Sequence, residues 1–597
     1  MRIAVLAKQI PRPAELRLVD GRLVRDGVGV ETNAYCRRAN ARAVDLAGPA
    51  GEVVVFTMGP PSAELTVREM IARGAARGVL VSDPALAGSD TLITARVLAA
   101  AIRREGPFDM ILSGAYSLDS ETGHVGVQLA EFLGLAFIGP CRRLDVIDGV
   151  AVATVESEGG FVDAEVLLPA VASAAERLCP PSKASDEEIA AVPADRVTVL
   201  TAADLGLGAR EVGLDASPTR VGAQVRNLAG AGRTRLVSSS VEQAVSLIGT
   251  LADTSADDRP RPGELAVPVP GGPADNHAPA VWCVLDPTAE HVDRGLLHAV
   301  AAIARGAGRP AVAVVADAIY GLAEQVDEIL CLSGPSAPQD WLGPLTARLR
   351  LRPPRCVIIE GTAWGREVAA RIAARMSWGL VGDAVDLTLD AVDVIAWKAA
   401  FSGQAVVPVT SSSPTLLVTI RPGLLSGPPA RHTRGIARSE TLATVSVSKV
   451  VASSGWGMDP AGRELSRARR LVIVGAGVDP DEYGAVEELR ALLRAGPLGA
   501  TRKVTDRGWL PRSRQIGLTG RSVAPELVVS IGVSGGFNHA VGFRRANRVI
   551  AINSDPDAAI FDQADVGIVG DWREVVARLC EEMRSRSAGL SPVGPRA

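Results

Sequence analysis

Short apolar strands that alternate with helices constrain the fold of this chain of 597 residues more than any other feature. From the first residue onward, strands are predicted at 3–7, 53–57, 78–81 and 110–113. Helices are predicted at 40–47, 63–73, 90–105 and 123–133. This alternation predicts an α/β fold with a parallel, doubly wound sheet. Because such sheets bind ligands beyond the carboxyl ends of their strands, the loops after residues 7, 57 and 113 are candidate ligand sites.

The pattern begins again after residues 252–279, whose richness in Pro, Gly and Asp is typical of a linker. Strands are then predicted at 281–285, 311–315 and 356–360, and helices at 292–305 and 365–376. A β-rich part follows each of the two alternating regions. It is a hairpin within 152–168 in the first and a set of further strands within 394–420 in the second. This repeated order indicates an internal duplication. Residues 424–465 are predicted to be a second loose connection, before a last α/β unit that starts at 471–474.

Composition argues against several classes of function. The formal net charge is −4, so the sequence carries no basic signal for nucleic-acid binding. No run of about 18 apolar residues occurs, which argues against a membrane span. The six His are dispersed and the seven Cys form no C-x-x-C pair, so we predict no metal site and expect reduced thiols. These features favour a cytoplasmic protein.

The stretch 499–571 carries the most specific candidate site. Its chemistry-bearing residues are Arg502 after a small-residue turn, Thr519 between Gly517 and Gly520, and His539 after the Ser534-Gly535-Gly536 turn that ends a predicted strand. Glycines at strand ends let backbone N–H groups approach a phosphate closely. We therefore predict a phosphate-binding α/β unit whose Arg, Thr and His serve the reactive end of a bound ligand.

Several motifs of this chain resemble those of electron transfer flavoproteins. The most specific ones occur in family order at Ser522-Val523-Ala524-Pro525-Glu526-Leu527, Gly532-Val533-Ser534-Gly535, Ala551-Ile552-Asn553-Ser554-Asp555-Pro556 and Val569-Gly570-Asp571. Weaker matches lie at 361–366 and 401–405. The resemblance implies a β-subunit-like domain at 1–251 and an α-subunit N-terminal-like domain at 280–455, joined by the linker 252–279. It also implies a Rossmann-like FAD-binding domain at 456–597, after two doubly wound domains of the adenine-nucleotide α-hydrolase-like type.

The resemblance assigns roles at the flavin to matching residues. Arg502 resembles the arginine near the flavin ring, Thr519 the hydroxyl that bonds flavin N5, and His539 the donor to flavin O2. A cation and donors at these places would tune the flavin potential. The other implied FAD-binding positions are Gln515, Ser534 and Asn538 along the ribityl and pyrophosphate part, the glycines Gly517, Gly520 and Gly535, and Asn553 and Asp571 at the adenosine end.

The β-like half resembles the family less closely. A second nucleotide, AMP or a second FAD, is implied at Asn33, Asp119, Gly123 and Gly126. The polar Gln and Thr of the family are replaced there by His124 and Val125, so an empty or purely structural site remains an alternative. In the C-terminal unit, Val478 stands where the family has an arginine.

The resemblance implies an electron carrier rather than a substrate-converting enzyme. It would take electrons from a partner dehydrogenase and pass them to a quinone reductase or another acceptor. Because residues 179–185 lack the family's Leu-Pro and Lys-rich recognition loop, we expect a dedicated dehydrogenase. The alternatives are an electron-bifurcating form with a second FAD and a non-redox adenine-nucleotide-binding module. The sequence leaves open whether the chain is a monomer or a homodimer.

Overall fold

The computed structural model describes the chain except for residues 13–16, 20–21, 25–26, 158–159, 223–235, 239–240, 251–277, 290–292, 317–324, 391–392, 401–404, 426–436, 454–459, 518–519 and 590–597. The chain folds into two compact units. Unit one comprises Met1–Arg226, Ala266–Ile420 and Gly427–Gly457, and unit two comprises Asn227–Leu265, Arg421–Ser426 and Met458–Ala597. The predicted linker and the motif at 401–405 fall almost entirely outside the described residues.

The first half of unit one contains fourteen strands and six helices among its described residues. Strands β1 to β14 are Arg2–Leu6, Gln9–Pro11, Arg17–Val19, Arg22–Val24, Val30–Thr32, Glu52–Met58, Arg77–Val81, Met110–Gly114, Ala136–Ile147, Val150–Ser157, Gly160–Leu167, Ala170–Ala174, Val197–Leu200 and Thr219–Val221. Helices α1 to α6 are Ala34–Ala47, Glu64–Ala72, Thr91–Glu105, Val125–Leu133, Asp186–Ala190 and Gly213–Ala216. Strands such as β6 bury five consecutive residues, as expected of a central parallel strand covered on both faces.

The chain continues with strand β15 at Leu236–Ser238 and helix α7 at Val241–Thr250, which belong to unit two. The second half of unit one then contains strands β16 to β25 at Val281–Val284, Ala311–Val315, Glu328–Ser333, Cys356–Glu360, Leu380–Asp390, Asp393–Ala400, Ala405–Ser411, Leu416–Ile420, Arg438–Ala443 and Val450–Ala452. Its helices α8 to α10 are Arg294–Gly306, Pro338–Leu351 and Ala363–Met376.

The two halves of unit one repeat one sheet topology. The first sheet has the order β13-β7-β6-β1-β8-β12-β9-β10-β11-β25, and the second, read in the matching direction, β24-β18-β17-β16-β19-β23-β20-β21-β22-β14. Nine strands of each half thus occupy the same positions in the same chain order. In both sheets a parallel part passes into an antiparallel part. The predicted internal duplication is therefore confirmed.

The tenth strand of each sheet comes from the other half. β14 pairs antiparallel with β22, with Thr219 opposite Ser411. β25 pairs antiparallel with β11, with Ala164 opposite Ala452. Each half therefore completes the sheet of its partner half.

Unit two has a six-stranded parallel sheet in the order β15-β30-β29-β28-β26-β27. Its remaining strands β26 to β30 are Arg470–Val474, Gly499–Ala500, Leu527–Ile531, Arg548–Asn553 and Val566–Val569. Helices α11 to α15 are Pro460–Arg467, Tyr483–Leu492, Arg502–Asp506, Phe537–Ala540 and Trp572–Gly589. The predicted α/β fold class is confirmed, and no helix among the described residues is both long and apolar enough to cross a membrane.

Several predicted element bounds were wrong. The helix predicted at 40–47 begins at Ala34. Its first turns were missed because Arg37 is charged, although it faces the core and pairs with Glu69 at 2.7 Å. Helix α9 was missed because Pro344 lies inside it. The supposed loose connection at 424–465 contains β24 and β25, and α11 begins within it.

Candidate functional site

The carboxyl edge of the unit-two sheet gathers the candidate residues of the C-terminal stretch. β26 has β27 on one side and β28 on the other, so the strand order reverses between β26 and β28. A parallel sheet opens a ligand-binding crevice at such a reversal. The four strand spacings from β30 to β27 cover roughly 19 Å, which suits an extended ligand. Arg502 follows β27, the group Ser534, Gly535, Asn538 and His539 follows β28, Asn553 ends β29, and Asp571 follows β30.

Arg502 and Gln515 are brought together through one hydroxyl. Arg502 begins α13, and its Nε lies 3.2 Å from Oδ2 of Asp506. The hydroxyl of Thr505 lies 3.0 Å from the Arg502 carbonyl oxygen and 3.1 Å from Oε1 of Gln515. Since Gln515 is only 1% exposed, its side chain is fixed beside the turn that carries Arg502.

The glycine-bracketed loop lies directly against the helix that carries His539. A Cβ at Gly517 would stand 2.5 Å from the Asn538 carbonyl oxygen, and Gly517 has a φ of +141°. Only glycine fits this approach. Nδ1 of His539 lies 2.8 Å from the carbonyl oxygen of Ile516. Gln515, Gly517, Asn538 and His539 thus form one contiguous group.

His539 is held in a single tautomer. A carbonyl oxygen only accepts hydrogen bonds, so Nδ1 donates and carries the proton. Nε2 is buried and has no hydrogen-bond partner within the part of the chain that the structure describes. Burial lowers the His539 pKa to about 4, and the bond to Ile516 offsets this only in part. At pH 7 the ring is therefore neutral, with a lone pair at Nε2.

The turn after β28 is closed by the segment after β29. Gly535 has a φ of +82°, and a Cβ there would lie 2.0 Å from the backbone nitrogen of Ile560. That nitrogen donates to the Ser534 carbonyl oxygen at 3.2 Å. The turn leaves the Ser534 side chain exposed at the sheet edge.

Asn553 and Asp571 lie on neighbouring strand ends, and both also support local structure. Nδ2 of Asn553 donates to the Val533 carbonyl oxygen at 2.8 Å, and its Oδ1 accepts from the Asp555 nitrogen at 3.0 Å. Asp571 precedes α15, and its Oδ1 accepts from the Arg573 nitrogen at 2.9 Å. Their placement at the far end of the crevice is compatible with a ribose or adenine contact.

Two further positions complete this edge. Thr519 lies outside the described residues, while Gly520 closes the turn by donating its N–H to the Gly517 carbonyl oxygen at 3.0 Å. Val478 is fully buried. A Cβ at Gly532 would stand 3.0 Å from its side chain. Val478 therefore packs against the turn at Gly532 and offers no side-chain hydrogen bond to a ligand.

The candidates of the β-like half lie in two neighbouring loops of unit one. Nδ2 of Asn33 donates to the Tyr116 carbonyl oxygen at 2.7 Å, and Oδ1 of Asn33 is buried without a partner among the described residues. Asp119 accepts from Nζ of Lys8 at 2.8 Å. Burial opposes ionisation of Asp119, but the charge and hydrogen bond of Lys8, together with a hydrogen bond from Ser117, leave the Asp119 pKa lowered.

Gly123 and Gly126 lie where that loop enters α4, and a Cβ at Gly126 would stand 2.6 Å from Oγ of Ser113. His124, the family's glutamine position, is 2% exposed and faces the other half of unit one. A Cβ at Gly382 would lie 2.3 Å from its Nε2. Burial, with Lys398 and Arg366 nearby, lowers the His124 pKa to about 3 despite the opposing charge of Asp383. His124 is therefore a neutral packing residue in this structure.

Comparison with known protein families identifies two regions of this chain as one kind of domain. The electron transfer flavoprotein domain matches twice, at residues 20–204 and 288–450, which together make up more than half of the chain.

The chain belongs to the electron transfer flavoprotein family.

A second family description, the electron transfer flavoprotein FAD-binding domain, matches residues 464–544. The α subunit of the electron transfer flavoprotein from Bacillus subtilis is 34% identical over 241 residues, 39% of this chain and 71% of that protein. The α subunit from Mycobacterium leprae is 33% identical over 235 residues, which are 39% of this chain and 72% of that protein. Subunit CarD of the caffeyl-CoA reductase-Etf complex of Acetobacterium woodii is 33% identical over 258 residues, which are 42% of this chain and 98% of that protein. The chain thus contains an FAD-binding domain and has the role of an electron transfer flavoprotein.

The flavoprotein residues at the unit-two edge fit FAD. Two buried polar atoms there, Nε2 of His539 and Oγ1 of Thr501, have no partner within the described segments. The turns at Gly517 and Gly535 leave no room for side chains, because backbone atoms of Asn538 and Ile560 approach them closely. In the same described part of the chain, no three His, Cys, Asp or Glu converge as a metal-binding group.

Two contact residues were not predicted from the sequence. Lys8 was missed although the loop after residue 7 was a predicted ligand site. Arg421 was missed although it follows a strand and precedes Pro422-Gly423, a common turn signal.

Proposed function

We propose that this chain is a single-chain electron carrier that joins a β-like and an α-like subunit. The β-like half would be 1–251, the linker 252–279, the α-like N-terminal domain 280–455 and the FAD-binding domain 456–597. Two matches to one family domain support this proposal, as do the two sheets with the same strand order. The exchange of β14 and β25 further supports halves that act as one assembly, and fusion makes that assembly intramolecular.

FAD would lie along the carboxyl edge of the unit-two sheet. Asn553 and Asp571 would hold the adenosine end, and Gln515, Ser534 and Asn538 the ribityl and pyrophosphate part. Arg502, Thr519 and His539 would face the flavin ring. When bound, FAD supplies the electron storage of the carrier.

The protein groups at the ring end control charge and protons. The Arg502 guanidinium would stabilise added negative charge at a bound flavin ring by Coulomb attraction. Neutral His539 offers a lone pair at Nε2, so it donates to an electron-rich oxygen only after taking a second proton there. Because the Ile516 carbonyl holds Nδ1, that second proton would be taken up at Nε2.

A dehydrogenase would supply the electrons, and a quinone reductase or another acceptor would receive them. The name of the CarD relative, a reductase complex subunit, supports a partner of this general class. Residues 179–185, which stand in place of the family's recognition loop, are followed directly by α5, whose first turn is acidic with Asp186, Glu187 and Glu188. An acidic rather than Lys-rich element supports a dedicated partner with a basic docking surface.

The β-like half would hold a second nucleotide, AMP or FAD. The supporting observation is the buried Oδ1 of Asn33, which lacks a partner within the described residues and lies in a loop beside Lys8 and Asp119. Two FAD per chain would favour the electron-bifurcating form. Mass spectrometry of the nucleotides released on denaturation separates these cases, since one FAD with AMP supports the simple carrier.

The carrier role itself is tested by reducing the FAD-loaded chain with dithionite and then adding a soluble quinone. We expect the flavin absorbance to bleach and return with two electrons delivered per FAD. Bound FAD that is never reoxidised by the quinone, nor by any other electron acceptor, would contradict a carrier.

A further inference from the structure

Backbone hydrogen bonds join the described residues on the two sides of positions 518 and 519, which together are called the turn below. The Gly517 nitrogen donates to the Arg521 carbonyl oxygen at 3.0 Å, and the Arg521 nitrogen donates to the Gln515 carbonyl oxygen at 2.7 Å. The Gly520 nitrogen donates back to the Gly517 carbonyl oxygen at 3.0 Å. These bonds fix where the backbone of Gln515 and its neighbour Ile516 lies.

Arg421 holds this turn from outside. It directly follows β23 in the chain and is 7% exposed. Its Nη2 donates to the Gly520 carbonyl oxygen at 2.6 Å. A charged donor makes a stronger bond to a carbonyl than a neutral one does. The Gly520 carbonyl therefore has a strong and buried anchor.

The segment that carries Arg421 is itself held in place within unit two. Nη1 of Arg545 donates to the Gly423 carbonyl oxygen at 2.6 Å. The Leu424 nitrogen donates to the Arg421 carbonyl oxygen at 3.2 Å, and Leu424 and Leu425 are each 1% exposed. Arg421 is thus presented from a packed segment and not from a free surface.

The turn in question also supports two groups of the candidate FAD site. Gln515 places its buried side chain beside Thr505 and the turn of Arg502. The Ile516 carbonyl fixes the tautomer of His539. A shift of the turn would therefore move Gln515 and release His539 together.

We propose that Arg421 is a positioning residue for the flavin, because its bond to the Gly520 carbonyl sets the turn that orients Gln515 and His539. This inference rests on the proposed FAD site. Arg421 acts through the turn and does not itself need to contact the cofactor. Its substitution should alter the environment of bound FAD even where the protein remains folded.

The test uses the full chain with the variants Arg421→Ala, Arg421→Lys and Arg421→Gln. Arg469→Ala is the control, because Arg469 is 77% exposed in its side chain and pairs with Glu526 at the surface of the same unit. The measurements are FAD dissociation, the visible circular dichroism of bound FAD, its midpoint potential and the melting temperature.

We expect Arg421→Ala to weaken FAD binding about tenfold or more, from loss of a hydrogen bond to a charged donor. The dichroism and the midpoint potential should change with it. Arg421→Lys keeps a cationic donor and should recover most of these properties, whereas Arg469→Ala should behave as wild type. If Arg421→Ala does not fold, the comparison of Arg421→Lys with the neutral Arg421→Gln tests whether the cationic donor at this position affects FAD binding.

Wild-type FAD affinity, dichroism and potential in Arg421→Ala, or in Arg421→Gln where Ala fails, would overturn the inference. A lower melting temperature alone would mean that Arg421 is only structural, which overturns it as well. A wild-type chain that does not bind FAD would instead be a failure of the proposed function.

Discussion

The Nδ1 atom of His539 lies 2.8 Å from the carbonyl oxygen of Ile516. This contact fixes the proton of the neutral ring on Nδ1 and leaves Nε2 as an acceptor. The resemblance to the family implies a donor to flavin O2 at this residue. His539 can donate from Nε2 only as the imidazolium. Burial opposes formation of that cation and lowers the His539 pKa to about 4.

This tautomer predicts that reduction of bound FAD is coupled to proton uptake by His539. Negative charge on the reduced cofactor raises the His539 pKa, so the reduced state binds one more proton above pH 4 and up to the raised pKa. We expect the midpoint potential to fall with rising pH more steeply in wild type than in His539→Asn. The difference in slope should be about 30 mV per pH unit for one proton per two electrons. Equal slopes in spectroelectrochemical titrations from pH 4.5 to 7 would show that His539 takes up no proton.

Adjacent glycines in the turn after β28 should respond differently to a methyl group. Gly535→Ala would place a Cβ 2.0 Å from the Ile560 nitrogen at a positive φ, whereas a Cβ at Gly536 meets nothing within 4 Å. We expect Gly535→Ala to cost at least ~2 kcal/mol of stability or to weaken FAD binding about tenfold. Gly536→Ala is the matched control, with both properties near wild type. Isothermal titration and urea unfolding measure them, and equal behaviour of the two variants would contradict the described turn.

The ion pair between Arg366 and Asp383 should stabilise unit one. Its two bonds are 2.9 Å and 3.0 Å long, and Asp383 is only 10% exposed in its side chain. Asp383→Asn should lower the unfolding free energy by about 3–5 kcal/mol, because it leaves buried positive charge without its counter-ion. The half-exposed pair Arg355–Asp393 is the control, and Asp393→Asn should cost less than about 1 kcal/mol. Urea unfolding measures both variants. Similar losses of unfolding free energy in the two would argue against a buried pair.

His124 should make the stability of unit one fall at mildly acidic pH. Its folded pKa of about 3 lies below the ordinary value of 6.5, so the unfolded chain takes up the proton first as pH falls. The contribution is complete above pH 6.5 and is lost progressively towards pH 3. His124→Gln should reduce the loss between pH 7 and pH 5 by about 2 kcal/mol. An unchanged pH dependence of unfolding in this variant would mean that His124 is not buried as a neutral ring.

Much of the fold could be predicted because central parallel strands are apolar along most of their length. The strands at 3–7, 53–57 and 356–360 have this pattern and are buried on both faces. The short edge strands β14 and β25 could not be predicted, since they are only three residues long and pair with partners far away in the chain. Their pairing depends on the assembled halves and not on local sequence.

The candidate site was predicted from glycine turns and motifs, and the structure assembles most of it at one sheet edge. Gln515, Gly517, Asn538 and His539 lie in one group, while Thr519 stays a prediction because it is outside the described residues. The tautomer of His539 could not be read from sequence, because it is set by a backbone carbonyl 23 residues away. Likewise, Arg421 reaches Gly520 over 99 residues of chain.

The visible absorption of the purified full-length chain after incubation with FAD and removal of the excess tests the central claim most directly. We predict a yellow protein that retains FAD and carries it at the unit-two edge, with wild type and Gly536→Ala retaining the same amount of FAD. A wild-type chain that stays colourless after this reconstitution would contradict the account.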